Sequence, residues 1–214
     1  MSTNIGYWEQ VLENPSPAYQ ELFASQKEYI MKIISPNNSV LDIGCGDGKN
    51  IETILQTTSH VSGVDNDLIA IEDAKKRLKN YPDVELFCAD ALNLPFKDEA
   101  FDTVTFFEII GNLGDNKFSA LKEAYRVLKS DGFIILSTYS EHAFDERMKM
   151  YAQIEVPIEK IEGTKVYFDK SVGAYESEQF SLEELKKLGE DAGFIMTDHV
   201  KVGTLSYICK FIKA

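Results

Sequence analysis

The sequence predicts a single α/β domain in which a doubly wound, mostly parallel sheet carries helices on both faces. Three observations support this fold class. Apolar segments of strand length alternate with amphipathic segments of helical length along residues 39–139. Residues 101–107 form a β-branched and aromatic run, typical of a strand buried on both faces. A length of 214 residues fits one domain.

The N-terminal segment, residues 1–34, is predicted to form a helical cap. Trp8, Val11 and Leu12 lie at helical spacing, and two prolines then interrupt the pattern. A second apolar stripe follows at helical spacing, formed by Tyr19, Leu22, Phe23, Ile30 and Ile33. This segment either folds over the carboxyl edge of the sheet or simply packs on the sheet.

Five strands and three helices are predicted between residues 39 and 139. The strands are 39–43, 60–65, 84–88, 101–107 and 133–139, and the helices are 51–55, 68–78 and 118–128. A turn at 130–132 separates the last helix from the last strand. Right-handed crossovers between parallel strands place the helices on both faces.

The alternation ends at Tyr139, and residues 139–180 are predicted to be an insertion without a clear helix. The next helix begins with a capping box of Ser181 and Glu184 and ends at Gly193. Two final strands, 194–200 and 204–212, are joined by a short turn at Gly203. They should therefore pair antiparallel.

Composition predicts a soluble, cytoplasmic globular protein. Hydrophobic residues make up 44% of the chain and charged residues 27%. The net charge of −13 argues against nucleic acid as a partner. No apolar run is long enough to span a membrane, and no secretory signal is present. Cys45, Cys88 and Cys209 lie far apart, which favours neither disulfides nor a zinc site.

The segment Val40-Leu41-Asp42-Ile43-Gly44-Cys45-Gly46-Asp47-Gly48 is the clearest sign of a ligand site. An apolar strand runs into three glycines spaced by two, where a ligand can approach the backbone closely. The third glycine falls one residue early for a dinucleotide-binding motif. Asp42 and Asp47 bracket the loop with negative charge, which disfavours a pyrophosphate and favours an ammonium or sulfonium group.

Acidic side chains end the next two predicted strands. Asp65 can accept hydrogen bonds from a ribose diol, and Asp67 is better placed to cap the following helix, which leaves Asp65 free. Asp90, followed by Ala91, ends the third strand and can accept from an exocyclic amine of adenine. Ligands of open α/β sheets bind outside these carboxyl ends.

These motifs resemble the class I S-adenosylmethionine-dependent methyltransferases. The matching segments are VLDIGCGDG at 40–48, GVDND around Asp65, FCADALNLPF at 87–96, FDTVTFFEII at 101–110 and EAYRVLKSDGFIILS at 123–137, with SLEELKKLGEDAGF at 181–194 matching more loosely. The resemblance implies a Rossmann-like sheet of strand order 3-2-1-4-5-7-6 with strand 7 antiparallel. It also implies S-adenosylmethionine as cofactor and a small-molecule acceptor, as in the ubiquinone/menaquinone biosynthesis group.

The resemblance further implies which residues bind the cofactor. They are Asp42, Gly44, Cys45, Gly46, Asp65, Asn66, Asp90, Ala91 and Phe107. Gly44 and Gly46 pass close to the methionine part, and Asp42 lies near its ammonium group. Asp65 takes the ribose hydroxyls, and Asp90 meets the adenine edge.

Two residues are candidates for catalysis. Glu108 ends the fourth strand, where the resemblance places it beside the methionine end of the cofactor, and His142 follows the fifth strand on the same edge of the sheet. Either side chain could act as a general base. A base is not obligatory, because the sulfonium already activates the methyl group. No metal site is expected.

Residues 139–180 contain seven aromatic residues, which either form the acceptor pocket or pack over the sheet edge. Two other functions stay open from the sequence. One is a non-catalytic cofactor-binding or partner-binding module, because a cofactor site does not prove turnover. The other is a nicotinamide-dependent oxidoreductase, which the early third glycine disfavours.

Overall fold

A seven-stranded mixed sheet organises the chain. The computed structural model describes residues 10–11, 14–172 and 176–214. In chain order the strands are Val40–Ile43 (β1), Val61–Asp65 (β2), Glu85–Cys88 (β3), Phe101–Phe107 (β4), Leu128–Tyr139 (β5), Ile158–Glu162 (β6), Lys165–Phe168 (β7), Glu176–Ser177 (β8), Phe194–Val202 (β9) and Ser206–Lys213 (β10). The large sheet has the order β3-β2-β1-β4-β5-β10-β9.

This order confirms the predicted topology. Strands β1 to β5 pair in parallel, whereas β10 is antiparallel to both β5 and β9. The predicted strands 6 and 7 correspond to β9 and β10, because the three short strands β6, β7 and β8 come before them in the chain. Those strands form a separate sheet of order β6-β7-β8.

Helices cover both faces of the large sheet, as the doubly wound prediction requires. They are Pro17–Ile33 (α1), Lys49–Ile54 (α2), Leu68–Arg77 (α3), Lys117–Val127 (α4), Phe144–Gln153 (α5) and Leu182–Ala192 (α6). One apolar cluster holds buried side chains of α1, α2, α3 and α5, and the other holds those of α4 and α6. No helix within the described ranges is long and apolar enough to cross a membrane.

Strand β5 begins earlier than predicted. Leu128 already pairs with Phe101, and the register then shifts so that Phe133 pairs with Thr103. The predicted turn at 130–132 therefore lies inside the strand as an irregularity. A side chain at Gly132 would begin 2.8 Å from the carbonyl oxygen of Asp102, so glycine is what allows the two strands to approach there.

The insertion after β5 contains a helix that the sequence did not predict. Helix α5 buries Arg147, Met150 and Tyr151. Because one of the three buried positions is an arginine, its buried face does not appear as an apolar stripe in the sequence. In its described residues the insertion therefore contains α5 followed by the three strands of the small sheet, with a 3-10 turn at Lys170–Val172.

The ends of helix α6 carry the capping signals that the sequence predicts, whereas the start of the N-terminal segment is only partly described. Helix α1 begins at Pro17, and the first predicted helical turns lie mainly in residues 1–9 and 12–13, outside the described residues. Helix α6 has the predicted capping box of Ser181 and Glu184. It ends at Gly193, which has a left-handed φ of 94°.

Candidate active site

A cavity of about 920 Å³ lies along the carboxyl ends of the parallel strands. Two groups of residues within its lining come from different elements of the fold. The strand-end group, which follows β1, β2 and β3, consists of Gly44, Cys45, Gly46, Asp65, Asn66, Asp90 and Ala91. The aromatic group, from α1, β5 and α5, consists of Tyr19, Phe23, Tyr139, Met150 and Tyr151. Phe107 and Glu108, at the end of β4, belong to the same lining.

The glycine loop is held by backbone hydrogen bonds that leave one glycine open to the cavity. The amides of Gly44 and Cys45 donate to the carbonyl of Val64, at 2.8 and 3.0 Å. Gly46 has a φ of +53°, and a Cβ added there would meet no atom within 4 Å. Gly46 thus presents bare backbone to the cavity, which is the close approach that the sequence predicts.

Asp65 lines the cavity but is not free, contrary to the prediction. Its Oδ2 accepts a hydrogen bond from the Gly46 amide at 2.9 Å, and its Oδ1 accepts from the Asp67 amide at 2.9 Å. A carboxylate has about four acceptor sites, so each oxygen keeps capacity for a ligand hydroxyl. Asp67 caps α3 as predicted, because its Oδ1 accepts from the Ile69 amide. Asp65 therefore fixes the glycine loop as well as lining the cavity.

The charge of Asp47 is compensated, which the sequence did not reveal. Arg77, on α3, forms an ion pair with its carboxylate and donates from Nε to the Asp47 carbonyl at 3.0 Å. Arg77 also pairs with Glu52 at 3.2 Å. Within the strand-end group, Asp65 and Asp90 are the carboxylates without a cationic partner among the described residues.

Asp42 lies beneath the glycine loop. It is buried in β1 and is not part of the cavity lining. Burial raises its pKa to about 7, although a hydrogen bond from Thr105 at 2.6 Å opposes that rise. Its Oδ2 has no hydrogen-bond partner among the described residues. Asp42 thus belongs to the interior beneath the loop.

Glu108 occupies the central position of the site. Strand β4 lies between β1 and β5, so Glu108 lies between the glycine loop and Tyr139. Its backbone has a left-handed φ of 60°, an uncommon conformation for a residue other than glycine and one that occurs at functional sites. Burial raises the pKa of its carboxyl to about 7, against the effect of hydrogen bonds from serine side chains and the charge of Arg147.

Contacts hold one oxygen of Glu108, and the other is buried without a hydrogen-bond partner among the described residues. Oε1 lies 3.3 Å from the Ser206 hydroxyl and 3.4 Å from the Gln26 amide nitrogen. Gln26 is fixed in turn by donating to the Ser137 hydroxyl at 2.8 Å. Oε2 is buried and has no hydrogen-bond partner within the described part of the chain. A buried carboxyl oxygen without a partner favours the protonated form of the group, in agreement with the raised pKa.

Hydroxyl groups of the aromatic group form hydrogen bonds with one another and with Ser177. The hydroxyls of Tyr19 and Tyr139 lie 2.9 Å apart and connect α1 to the end of β5. Tyr151 donates to the Ser177 hydroxyl at 2.9 Å. This side of the cavity therefore combines aromatic walls with a few polar atoms, as small-molecule sites do.

Only part of the predicted aromatic cluster lines the cavity. Of the seven aromatic residues in 139–180, Tyr139 and Tyr151 do so. Phe168 packs edge-on against Tyr151 with ring centroids 5.2 Å apart, so it supports the wall from behind. Tyr175 lies outside the described residues. Tyr139 and Tyr151 therefore help to form the cavity, whereas Phe168 contributes packing behind it.

His142 does not belong to the cavity lining. Its side chain is 55% exposed, and its Nε2 lies 3.6 Å from a carboxylate oxygen of Glu141. Glu108 thus lines the cavity, whereas His142 does not. Among the described residues no cluster of three or more histidine, cysteine, aspartate or glutamate side chains is arranged to hold a metal ion.

Gln26 is a site residue that the sequence analysis missed. It lies on α1 among buried apolar residues, four positions after Leu22 and four before Ile30. A polar residue at a buried position of an amphipathic helix is the signal that could have identified it.

The lining fits S-adenosylmethionine on three observations. Bare backbone at Gly46 opens into the cavity. Asp65 and Asp90 supply acceptors for hydroxyl and amino groups after successive strands. Three acidic residues of the lining, Asp65, Asp67 and Asp90, lie at or just after the ends of β2 and β3, which suits a cationic sulfonium.

Comparison with known proteins agrees with this fit. A family model described as a methyltransferase domain matches residues 41–136. A demethylmenaquinone methyltransferase of Staphylococcus aureus is 31% identical over 205 aligned residues, which cover 87% of this chain and 84% of the relative.

Two solved structures share the fold. A protein of Pyrococcus horikoshii OT3 superposes with a TM-score of 0.72 at 24% identity, covering 94% of this chain and 93% of that one. The 1,6-didemethyltoxoflavin-N1-methyltransferase of Burkholderia thailandensis, with bound 1,6-didemethyltoxoflavin and S-adenosylhomocysteine, superposes with a TM-score of 0.73 at 14% identity, covering 96% and 82%. Given the site and the extent of the sequence match, the chain belongs to the class I S-adenosylmethionine-dependent methyltransferases.

Proposed function

We propose that the protein transfers a methyl group from S-adenosylmethionine to a small-molecule acceptor, with Glu108 as general base. The observation that carries the proposal is that a single cavity contains the strand-end group, the aromatic group and, between them in the order of the sheet, Glu108. A donor and an acceptor can therefore occupy the same enclosed space.

Residues of the strand-end group would hold the cofactor. Gly44 and Gly46 would contact its methionine part, Asp65 the ribose hydroxyls, and Asp90 with Ala91 the adenine. When bound, S-adenosylmethionine supplies a methyl group already activated by the positive charge on sulfur. We leave Asp42 out of this set because its side chain does not line the cavity.

The aromatic group would hold the acceptor. Its walls are apolar, and its polar atoms are the tyrosine hydroxyls, which can orient a small polar substituent. The relatives support an acceptor of this size, since their names specify demethylmenaquinone and 1,6-didemethyltoxoflavin. Holding the acceptor in line with the methyl group supplies roughly 7–11 kcal/mol of the barrier.

Glu108 would remove the proton from the reacting atom of the acceptor. A general base works best when its pKa lies near the working pH, because it is then largely ionised and still basic enough to accept a proton. The pKa of Glu108 is about 7. The carboxyl group lines the cavity, its Oε1 is held by Ser206 and Gln26, and its Oε2 has no partner among the described residues, so the group can still take up a proton. The proton then passes to solvent when the products leave.

Helix α1 and the insertion at 139–180 would close the cavity over the ligands. Tyr19 and Tyr151, one from each segment, line the cavity with their hydroxyl groups bonded inside it. Closure of this kind excludes water from the reacting groups.

We first predict the effect of filling the space at Gly46. In Gly46→Ala the new methyl group enters the cavity, so S-adenosylhomocysteine should bind at least about tenfold more weakly by calorimetry. Gly163→Ala is the matched control, because Gly163 also has a left-handed φ (+62°) and an added Cβ there also meets nothing within 4 Å. Both variants carry similar backbone strain, but only the first should lose affinity. Equal affinities would remove the loop from the site.

The second prediction concerns Glu108. With methyl-labelled S-adenosylmethionine and a metabolite extract, label should enter the small-molecule fraction. Glu108→Gln should lower the rate by ~10²–10⁴-fold with affinity for S-adenosylhomocysteine intact. Because only the ionised carboxylate accepts a proton, the wild-type rate should fall as pH drops below about 7, and the variant should lack that limb.

His142→Ala provides the comparison for this prediction. Its side chain lies outside the cavity, so the rate should stay within about threefold of wild type. A large loss in His142→Ala with little loss in Glu108→Gln would reverse the two roles. Label recovered only in nucleic acid or protein would contradict a small-molecule acceptor.

The third prediction concerns closure of the cavity. On binding S-adenosylhomocysteine, amides of α1 and α5 should gain protection from hydrogen exchange, because side chains of both helices line the cavity. Helix α6 is the internal control, since it packs on the opposite face of the sheet. Protection gained only within residues 40–110 would show that α1 and the insertion do not close over the ligand.

A further inference from the structure

Arg147 is a buried positive charge whose hydrogen-bond partners are all uncharged. Its side chain lies in α5 and has no solvent exposure. It donates to four neutral oxygens, namely Tyr151 Oη at 3.4 Å, the Thr164 carbonyl at 3.1 Å, Gln179 Oε1 at 2.9 Å and the Ser177 carbonyl at 2.7 Å.

The other two arginines of the chain differ in this respect. Arg77 forms ion pairs with Asp47 and Glu52, and Arg126 forms ion pairs with Glu123 and Asp98. Arg147 forms no ion pair with any described residue. Burial of a charge without a counter-ion is costly, so its presence beside a cavity calls for a functional reason.

The charge of Arg147 lies directly behind the aromatic wall. Its guanidinium carbon is 5.0 Å from the ring centroid of Tyr139 and 5.7 Å from that of Tyr151, and both rings line the cavity. Burial raises the pKa of Tyr19 as well as that of Glu108, and the charge of Arg147 acts against both increases. The positive potential therefore extends across the wall to groups on α1 and β4.

Nearby carboxylates do not cancel this potential. Glu176 and Glu178 flank Ser177, but they are paired with Lys165 and, for Glu178, also with Lys117. The other titratable groups that line the cavity beside the aromatic group are Tyr19, Tyr139, Tyr151, Glu108, Lys27 on α1, and Lys49, whose ammonium lies 5.0 Å from the ring centroid of Phe23. Only Glu108 among them is acidic enough to become an anion near neutral pH.

We propose that the aromatic group binds the acceptor as an anion, formed from a weakly acidic phenol, enol or N–H compound and stabilised by the buried charge of Arg147. This inference rests on the proposed function, because it specifies the acceptor of the same reaction. The acceptor proton goes to Glu108, and the electron pair left on the acceptor forms the bond to the methyl carbon. The pair of the broken carbon–sulfur bond stays on sulfur, and Arg147 keeps all its protons.

This chemistry separates acceptor classes. An aliphatic amine arrives as a cation near neutral pH and is repelled by Arg147, whereas an aliphatic alcohol does not ionise there. A phenol, an enol or an acidic N–H group ionises close enough to neutrality for a buried positive charge to shift the balance.

The test uses 4-nitrophenol as an acceptor-like probe, because its visible absorbance distinguishes phenol from phenolate. It is titrated into the complex with S-adenosylhomocysteine across pH 5–9. The wild-type protein should bind the phenolate at least about tenfold more tightly than the phenol, so the bound probe should ionise at lower pH than the free probe. The same titration in Glu108→Gln excludes the carboxyl that titrates in this range as the origin of the signal.

Three variants locate the source of the preference. Arg147→Met should abolish the preference for phenolate, and Arg147→Lys, which keeps the charge, should retain most of it. Arg126→Met removes an arginine that already has carboxylate partners and should leave the preference unchanged. Thermal melting shows which variants remain folded.

Several results would overturn the inference. The wild-type protein could bind the phenol more tightly than the phenolate, or could fail to bind the probe. Alternatively, the Arg147→Met variant could melt at a lower temperature and still bind the phenolate more tightly than the phenol. The last result would assign Arg147 to holding the insertion together. None of them affects methyl transfer or its dependence on Glu108, so failure here is distinguishable from failure of the proposed function.

Discussion

Burial of the Glu108 carboxyl group is the constraint on which the rest of the site depends. Because removal from water disfavours its charge, this carboxyl group ionises only as the pH rises to about 7 and above. The left-handed backbone at Glu108 starts the chain turning out of β4, and its amide still donates to the Ser137 carbonyl at 3.0 Å. Strain and desolvation are thus both concentrated at one residue, between donor and acceptor ends of the cavity.

Two helices from opposite ends of the chain complete this environment. Helix α1 supplies Gln26 to the carboxyl and Tyr19 to the tyrosine pair, and α5 supplies Arg147 and Tyr151. A buried carboxyl and a buried guanidinium therefore face the aromatic end of the cavity from different sides without forming an ion pair. Such an arrangement can remove a proton at one point and stabilise the resulting anion at another.

The sequence predicted what depends on local pattern. The mostly parallel sheet, the glycine loop at 44–48 and the capping box at Ser181 follow from alternation, glycine spacing and cap chemistry. The strand order came from the family resemblance, and the structure confirms it. Pairing between distant side chains left no such trace. The ion pair from Arg77 to Asp47 and the backbone contacts of Asp65 depend on helix and loop positions that only folding establishes.

Helix α5 and the choice of base show the same limit. The helix was not predicted because Arg147 lies on its buried face, and in a sequence a charged residue indicates a solvent-exposed position. His142 follows β5 on the predicted edge, yet its side chain turns out to lie outside the cavity lining, and Gln26 went unnoticed within an apolar stripe. Side-chain direction at a strand end cannot be inferred from position along the chain alone.

The most direct test of the account is the pKa of Glu108 itself, measured by ¹³C NMR on protein labelled at the glutamate carboxyl carbon. The Glu108→Gln variant identifies the resonance. The account predicts a single carboxyl that titrates at about 7 and disappears in the variant. A Glu108 signal that titrates in the ordinary range near 4.3 would show that the group is well solvated, and would contradict its assignment as the base.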